Sequence, residues 1–80
     1  MSMRSLLKDF EGRDVSIHEM PNGGLRVSTR KDGDQFNIWH VNDDTVVMQS
    51  DALKLRRIVS LAHIVEIEIV LVEPDPSLTG

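Results

Sequence analysis

The stretch LRRIVSLAHIVEIEIVLVEP, residues 55–74, decides the fold of this 80-residue chain. β-branched side chains fit a pleated strand better than a helix. The stretch contains eight apolar residues of this kind: Ile58, Val59, Ile64, Val65, Ile67, Ile69, Val70 and Val72. Its second half alternates apolar residues with Glu66 and Glu68, which is the two-residue period of a strand. The doubled apolar residues Leu61-Ala62 and Ile64-Val65 break that alternation. The stretch therefore predicts two strands joined by a tight turn near Ala62-His63.

A helix is the alternative for the first part of this stretch. Ser50 and Asp51 could cap its N-terminus. Apolar residues also follow at helical spacing: Leu55, Ile58, Val59, Ala62 and Val65. This interpretation would give an α+β domain, and we favour strands because the β-branched residues are so numerous.

The N-terminal residues predict a short helix. Met3, Leu6, Leu7 and Phe10 form one apolar stripe at i, i+3, i+4 and i+7. Ser2 can cap the start, and the glycine at position 12 can end the helix in a left-handed turn. So short a helix is not stable alone, so we expect it to pack on an apolar surface.

Two-residue alternation follows the helix. Residues 15–17 and 25–29 flank the turn sequence Pro-Asn-Gly-Gly and predict a hairpin. A third strand places Phe36, Ile38 and His40 on one face, and the turn at 42–44 leads into a further strand from Thr45. The chain therefore predicts a mainly β fold. We expect a short N-terminal helix and a five-stranded, strongly bent antiparallel sheet that forms a small barrel, in one domain over residues 1–73 with a disordered tail over 74–80.

Composition narrows the class of protein. The chain has no cysteine, which excludes disulfides and a thiolate-rich zinc site. An 80-residue chain buries a modest core, and oligomerisation is one way to complete it. The outward apolar end of the last strand also needs cover, from another copy of the chain or from the N-terminal helix. We expect no membrane partner and a cytoplasmic location, since no apolar run approaches the ~20 residues of a membrane span.

Charge is unevenly distributed. The net charge of −4 argues mildly against a nucleic-acid partner. Residues 32–51 hold five aspartates and no base, whereas Lys54, Arg56 and Arg57 follow as a basic group. Two interpretations stay open: an ordinary solvated surface, or a molecule with separate acidic and basic faces.

Three short motifs carry a resemblance to a known family. They are LLKDFEGRDVSI (residues 6–17), DQF (34–36) at its spacing from NG (22–23), and VSLAHIVEI (59–67). In their order and spacing they resemble the Sm-like family, most closely its bacterial Hfq branch. The resemblance implies an Sm-like barrel and a homo-oligomeric ring in which the fourth strand of one subunit pairs with the fifth strand of the next. It also implies binding of single-stranded, often uridine-rich RNA.

The resemblance assigns roles to individual residues. Asp34, Gln35 and Phe36 match a motif whose aromatic can stack on a base and whose amide can contact a base edge. Asn37 resembles a base-contacting asparagine, and His63 stands one place from the family histidine. The position of the family's phosphate-binding lysine holds a leucine. The oligomer interface predicted in this way comprises Arg57, Val59, Leu61, Ile67, Ile69, Val70 and Val72.

Other residues have two interpretations each. Arg26 and Arg30 share a strand face and form a basic strip with Lys31, which could bind phosphates or protect a sheet edge. Phe36 is either a core residue or a stacking platform. Trp39 is either an interface anchor or a residue packed under the helix.

The motifs of catalysis are missing from the sequence. It has no Gly-rich phosphate loop, no His-Glu-x-x-His and no nucleophile elbow. His40, Asp43 and Asp44 are close in sequence, but Asn-Asp-Asp is ordinary turn chemistry. We therefore expect no enzymatic activity, no cofactor and no metal. The function predicted is that of an RNA-binding, ring-forming Sm-like protein, and the alternative is a structural or protein-interaction small β-barrel module without a nucleic-acid role.

Overall fold

One short helix and six strands make up residues 2–71, the part of the chain that the computed structural model describes. Their bounds are α1 Met3–Lys8, β1 Asp14–Glu19, β2 Leu25–Ser28, β3 Gln35–Val41, β4 Thr45–Ser50, β5 Leu55–Ser60 and β6 Ile64–Glu68. The mainly β class and the N-terminal helix are confirmed. The five-stranded barrel is wrong, because six strands form an open sheet. Val72 and the predicted tail 74–80 lie outside the described residues.

Helix α1 begins where the sequence indicates but ends earlier than Gly12, at Lys8 with Asp9 as its C-cap. The Oγ atom of Ser2 accepts a hydrogen bond from the Ser5 amide at 3.1 Å, so Ser2 is the N-cap. After the helix, Gly12 adopts a φ of 82°, and its amide donates to the carbonyl of Ile38. Leu7 and Phe10 are buried. The helix therefore contributes Leu7 to the core, and the turn that follows it contributes Phe10 and is bonded to β3 through Gly12.

The strands follow the order β5-β4-β3-β1-β2-β6. β1 and β2 form the predicted hairpin, with Ile17 opposite Val27. β3 returns on the other side of β1, where Val15 lies opposite Phe36, and β4 and β5 extend the sheet antiparallel to it. β6 pairs with β2 in the parallel direction. The prediction of a wholly antiparallel sheet therefore fails at this last pair.

The two edge strands of the sheet are consecutive in the chain. β5 and β6 lie at opposite ends of the strand order but are joined by the three-residue 3₁₀ turn Leu61–His63. Three residues of 3₁₀ helix rise only about 6 Å. The sheet must therefore curl until its two edges approach each other at this corner. The predicted tight turn is confirmed, and the helical alternative for residues 50–65 is wrong.

The core fills the inner face of the curled sheet. Fully burying one such side chain stabilises the fold by roughly 1.5–3 kcal/mol. Leu7 covers this face from the helix, and Phe10 covers it from the turn that follows. The strands supply the other buried apolar residues: Val15, Leu25, Val27, Phe36, Ile38, Val41, Val46, Met48, Val59 and Ile64.

A bulge attaches β6 to β2. Leu25 lies opposite Ile64, but the next residue of β2 lies opposite Glu66, so Val65 is the extra residue of β6. The Val65 side chain lies over Gly24, where a Cβ atom would sit 2.6 Å from Val65 Cγ1. This close approach requires glycine at position 24.

Candidate interaction surfaces

The outer edge of β5 is a basic, partly apolar surface. β5 pairs with β4 along all six residues, and within residues 2–71 its other edge has no strand partner. Lys54, Arg56 and Arg57 give this edge three cations. Ile58 points away from the core and is 71% exposed. An unpaired edge with exposed apolar side chains is suited to pairing with another strand.

The edge formed by β6 is acidic, and side chains of β2 bind its carboxylates. Arg26 Nε donates to Glu66 Oε1 at 3.1 Å. Glu68 Oε1 accepts from Ser28 Oγ at 2.7 Å and from Arg30 Nε at 3.3 Å. These hydrogen bonds, first that of Ser28 and then that of Arg30, stabilise the carboxylate and lower the pKa of Glu68 below its ordinary value.

The predicted basic strip is therefore mostly neutralised. Of the three residues of the strip, Arg26 and Arg30 are ion-paired with β6, and Lys31 alone lies outside the ion pairs of residues 2–71. Sequence reasoning missed this pairing, although both segments have the two-residue spacing that it requires. The parallel β2–β6 pair brings the segments together from about 40 residues apart.

The residues predicted to bind RNA lie in different environments. Phe36 is buried in the core, as one of the two interpretations of this residue expected. Gln35 Nε2 donates to Ser16 Oγ at 2.6 Å, and Asn37 Nδ2 donates to Asp14 Oδ1 at 3.1 Å. Asp34, just before β3, and His63, in the corner turn, are exposed. The RNA-binding role of this set stays a prediction.

The residues predicted to form the oligomer interface are mostly turned toward the molecule's own core. Val59 is buried, Leu61 and Ile67 pack partly against the core, and Arg57 lies half-buried on the inner face. Val70 is half-buried, and its amide donates to Thr29 Oγ1 at 2.8 Å. Of this predicted set within residues 2–71, only Ile69 is exposed. Ile58 and Val65, which were not in the set, are exposed on the edge strands.

Trp39 lies at an irregularity in β3. The register with β4 shifts between Ile38 and His40, so Val41 and not His40 takes the next inward position. This overturns the expectation that His40 shares a face with Phe36. Trp39 is 48% exposed and does not pack under the helix.

Arg56 stacks on this tryptophan. Its guanidinium carbon lies 4.1 Å from the ring centroid of Trp39. Gln49 Oε1 accepts hydrogen bonds from Arg56 Nε at 3.1 Å and Nη2 at 2.9 Å, and Gln49 Nε2 donates to Asp51 at 2.9 Å. Arg57 faces inward, opposite Met48, so the two arginines point to opposite faces of β5. Beside the stack is an open cavity of about 560 Å³ that Lys54 also lines.

Two histidines contact carboxylates elsewhere on the surface. His40 Nδ1 lies 3.3 Å from Glu11 Oε2, and His18 Nε2 lies 3.2 Å from Asp32 Oδ1. Asp43 pairs with Arg4 at 3.4 Å. Within the described residues, no three side chains of the metal-ligating types form a group that could hold an ion. The helix in this part of the chain is far too short to cross a membrane.

The described residues thus define a class of protein: a small, mainly β domain with one N-terminal helix and an open, curled sheet. Comparison with protein families, curated proteins and solved structures found no match to the chain.

Proposed function

We propose that this protein is a non-catalytic module that assembles with copies of itself, β5 of one copy pairing with β6 of the next. One observation carries the proposal: the two edge strands carry side chains of opposite formal charge, although Arg26 and Arg30 of β2 already partly neutralise the two glutamates of β6. β5 and the residue before it carry Lys54, Arg56 and Arg57 and no acid, whereas β6 carries Glu66 and Glu68 and no base. Complementary charge fixes the register and the choice of partner in such contacts.

Exposed apolar side chains support the same contact. Ile58 on β5 and Val65 on β6 are both exposed, so pairing of the two edges would remove apolar surface from water. The contact joins two different surfaces and repeats head to tail. Such a contact generates a ring if the rotation between copies closes, and a filament if it does not. The Sm-like resemblance favours the ring.

The mass of the assembled species tests this proposal. We expect light scattering at micromolar concentration to give a discrete multiple of the 9.0 kDa chain mass. Ile58→Lys should shift the equilibrium to the monomer, because it places a charge on the apolar part of the β5 edge. Glu19→Gln adds the same unit of charge on an interior strand and should leave the mass unchanged. A folded monomer as the only species of the unmodified chain would refute the proposal.

Single-stranded RNA is the second candidate partner. The observation that favours it is a set of cations outside the ion pairs of residues 2–71: Lys31, Lys54 and Arg57. A ring would repeat these cations around its circumference and add their effects on a phosphate backbone. Fluorescence anisotropy with oligouridine and oligoadenine at low salt tests this role. Assembly without RNA binding would favour the alternative, a structural or protein-interaction module.

A further inference from the structure

The outer face of the sheet carries an arrangement of one aromatic ring, one cation and one amide: Trp39, Arg56 and Gln49. Trp39, half-exposed, has the Arg56 guanidinium stacked on it at 4.1 Å. An exposed arginine ordinarily samples many rotamers. Here two hydrogen bonds to Gln49 Oε1 and the indole face hold it in one. Since Gln49 is neutral, this arrangement fixes the direction of the guanidinium without neutralising its charge.

A second cation lies on the same cavity. Lys54 is in the tight turn between β4 and β5 and has a φ of 55°, which is uncommon for a residue other than glycine. Lys54 and Arg56 both line the open cavity of about 560 Å³, together with Asp51. Neither cation belongs to an ion pair within residues 2–71. Two cations and one carboxylate suit a ligand with a single anionic group better than a polyphosphate.

The chemistry of these groups defines the ligand. The guanidinium of Arg56, which lines the cavity and rests on the Trp39 ring beside it, offers a flat surface on which a heteroaromatic base can stack. The ammonium of Lys54 can bind a phosphate. The free oxygen of Asp51, whose other contact is with Gln49, can accept a hydrogen bond from an amine or a ribose hydroxyl. We propose that this cavity binds a nucleotide, that is, a planar base bearing one phosphate, either free or at the end of a strand.

Intrinsic fluorescence gives a direct test, because Trp39 is the only tryptophan of the chain. The full chain is titrated with adenosine and uridine 5′-monophosphates, with the matching nucleosides, with inorganic phosphate and with short oligonucleotides. We expect a nucleotide to quench the fluorescence of Trp39 saturably. Its dissociation constant should be about tenfold lower than that of its nucleoside or of phosphate alone, a difference in binding free energy of about 1.4 kcal/mol. Quenching by mononucleotides identifies the free ligand, and quenching by oligonucleotides alone identifies a strand end.

Variants separate stacking from charge. Arg56→Lys keeps the charge but removes the plane, and should weaken nucleotide binding about tenfold. Lys54→Met should make the dissociation constants of the nucleotide and the nucleoside nearly equal, because the phosphate loses its cation. Lys8→Met removes an exposed cation at the end of α1 and is the matched control, with no expected change. Calorimetry on Trp39→Ala, whose fluorescence is lost, should show no binding.

Three outcomes would overturn the inference. The absence of quenching by every nucleotide would mean that the stack only shields the indole. Equal quenching by polyaspartate would mean that the cations attract any anion. Oligonucleotide binding detected by anisotropy without a change in Trp39 fluorescence would place an RNA site elsewhere. The RNA-binding proposal would then stand, and the nucleotide-site proposal would fail. Light scattering on the same samples keeps the result separate from self-assembly, since a monomer can still bind a nucleotide.

Discussion

The two edge strands are attached to the same sheet in different ways. β5 pairs with β4 in an antiparallel register that runs without a break through all six residues. β6 pairs with β2 in parallel, with a bulge after its first residue, and four side chains of β2 and β6 form a hydrogen-bonded and ion-paired row on the outer face: Arg26, Ser28, Glu66 and Glu68. Parallel pairing is slightly less stable per residue than antiparallel pairing. The attachment of β5 to the sheet therefore depends mainly on backbone hydrogen bonds, whereas the attachment of β6 depends mainly on side-chain contacts.

The largest expected difference concerns the core residues beneath each edge. Ile64→Ala in β6 should lower the free energy of unfolding by about 2–5 kcal/mol. Val59→Ala in β5 removes a smaller side chain and should cost about 1.5–3 kcal/mol. Both residues are buried, so urea unfolding of the two variants compares the edges directly. A greater loss in the β5 variant would contradict the greater dependence of β6 on side chains.

The bulge gives a second comparison. Gly24→Ala should destabilise the fold by about 1–3 kcal/mol, because its methyl group would overlap Val65. Val65→Ala alone should be nearly neutral, since half of that side chain is exposed. The double variant should recover most of the loss. Additive costs in this double-mutant cycle would show that Val65 does not limit the space at Gly24.

The pH dependence of stability should be specific to β6. The pKa of Glu68 is lowered in the folded state from its ordinary value of 4.5 by the Ser28 hydroxyl and the Arg30 guanidinium. Its contribution is therefore fully present above pH 4.5 and is lost as the pH falls through the lowered pKa. Glu68→Gln should lower stability at pH 7 and flatten the acid limb of the stability curve. Glu19→Gln is the control for removing one carboxylate. If it flattened the acid limb of the stability curve equally, the assignment of that limb to Glu68 would be refuted.

The smallest expected effect is that of a single partly exposed ion pair. A double-mutant cycle on Arg26 and Glu66 should give a coupling of about 0.2–1 kcal/mol, reduced by added salt. The Arg4–Asp43 pair, whose carboxylate is almost wholly exposed, should give a coupling near zero. Equal couplings would mean that the ion pairs of β6 contribute no more than ordinary surface charge.

Local signals in the sequence predicted most elements correctly. The cap at Ser2 located the start of α1, and the Pro-Asn-Gly-Gly turn located the first hairpin. Strand order depends on contacts between distant parts of the chain. The alternation of apolar and polar residues along a strand is the same whichever strand lies beside it. For that reason the sequence predicted neither the return of β3 to β1 nor the parallel pairing of β6 with β2.

The candidate surfaces were harder to predict for related reasons. The aromatic ring of Phe36 is compatible with a core or a stacking role, and the neighbouring strands place it in the core. Trp39 is exposed at an irregularity in β3 that simple alternation does not reveal. Arg26 and Glu66 lie 40 residues apart, so their pairing depends on a long-range contact. Exposure and pairing are properties of the folded chain.

The placement of β6 at the far end of the sheet has a consequence for synthesis of the chain. Ribosomes release a protein from its N-terminus, so β1 to β5 emerge before the strand that covers the outer edge of β2. Until then, β2 exposes unpaired amides and carbonyls to other nascent chains on the same messenger. Delayed release of residues 61–68 should therefore increase co-translational aggregation, whereas a delay after β6 has emerged should not.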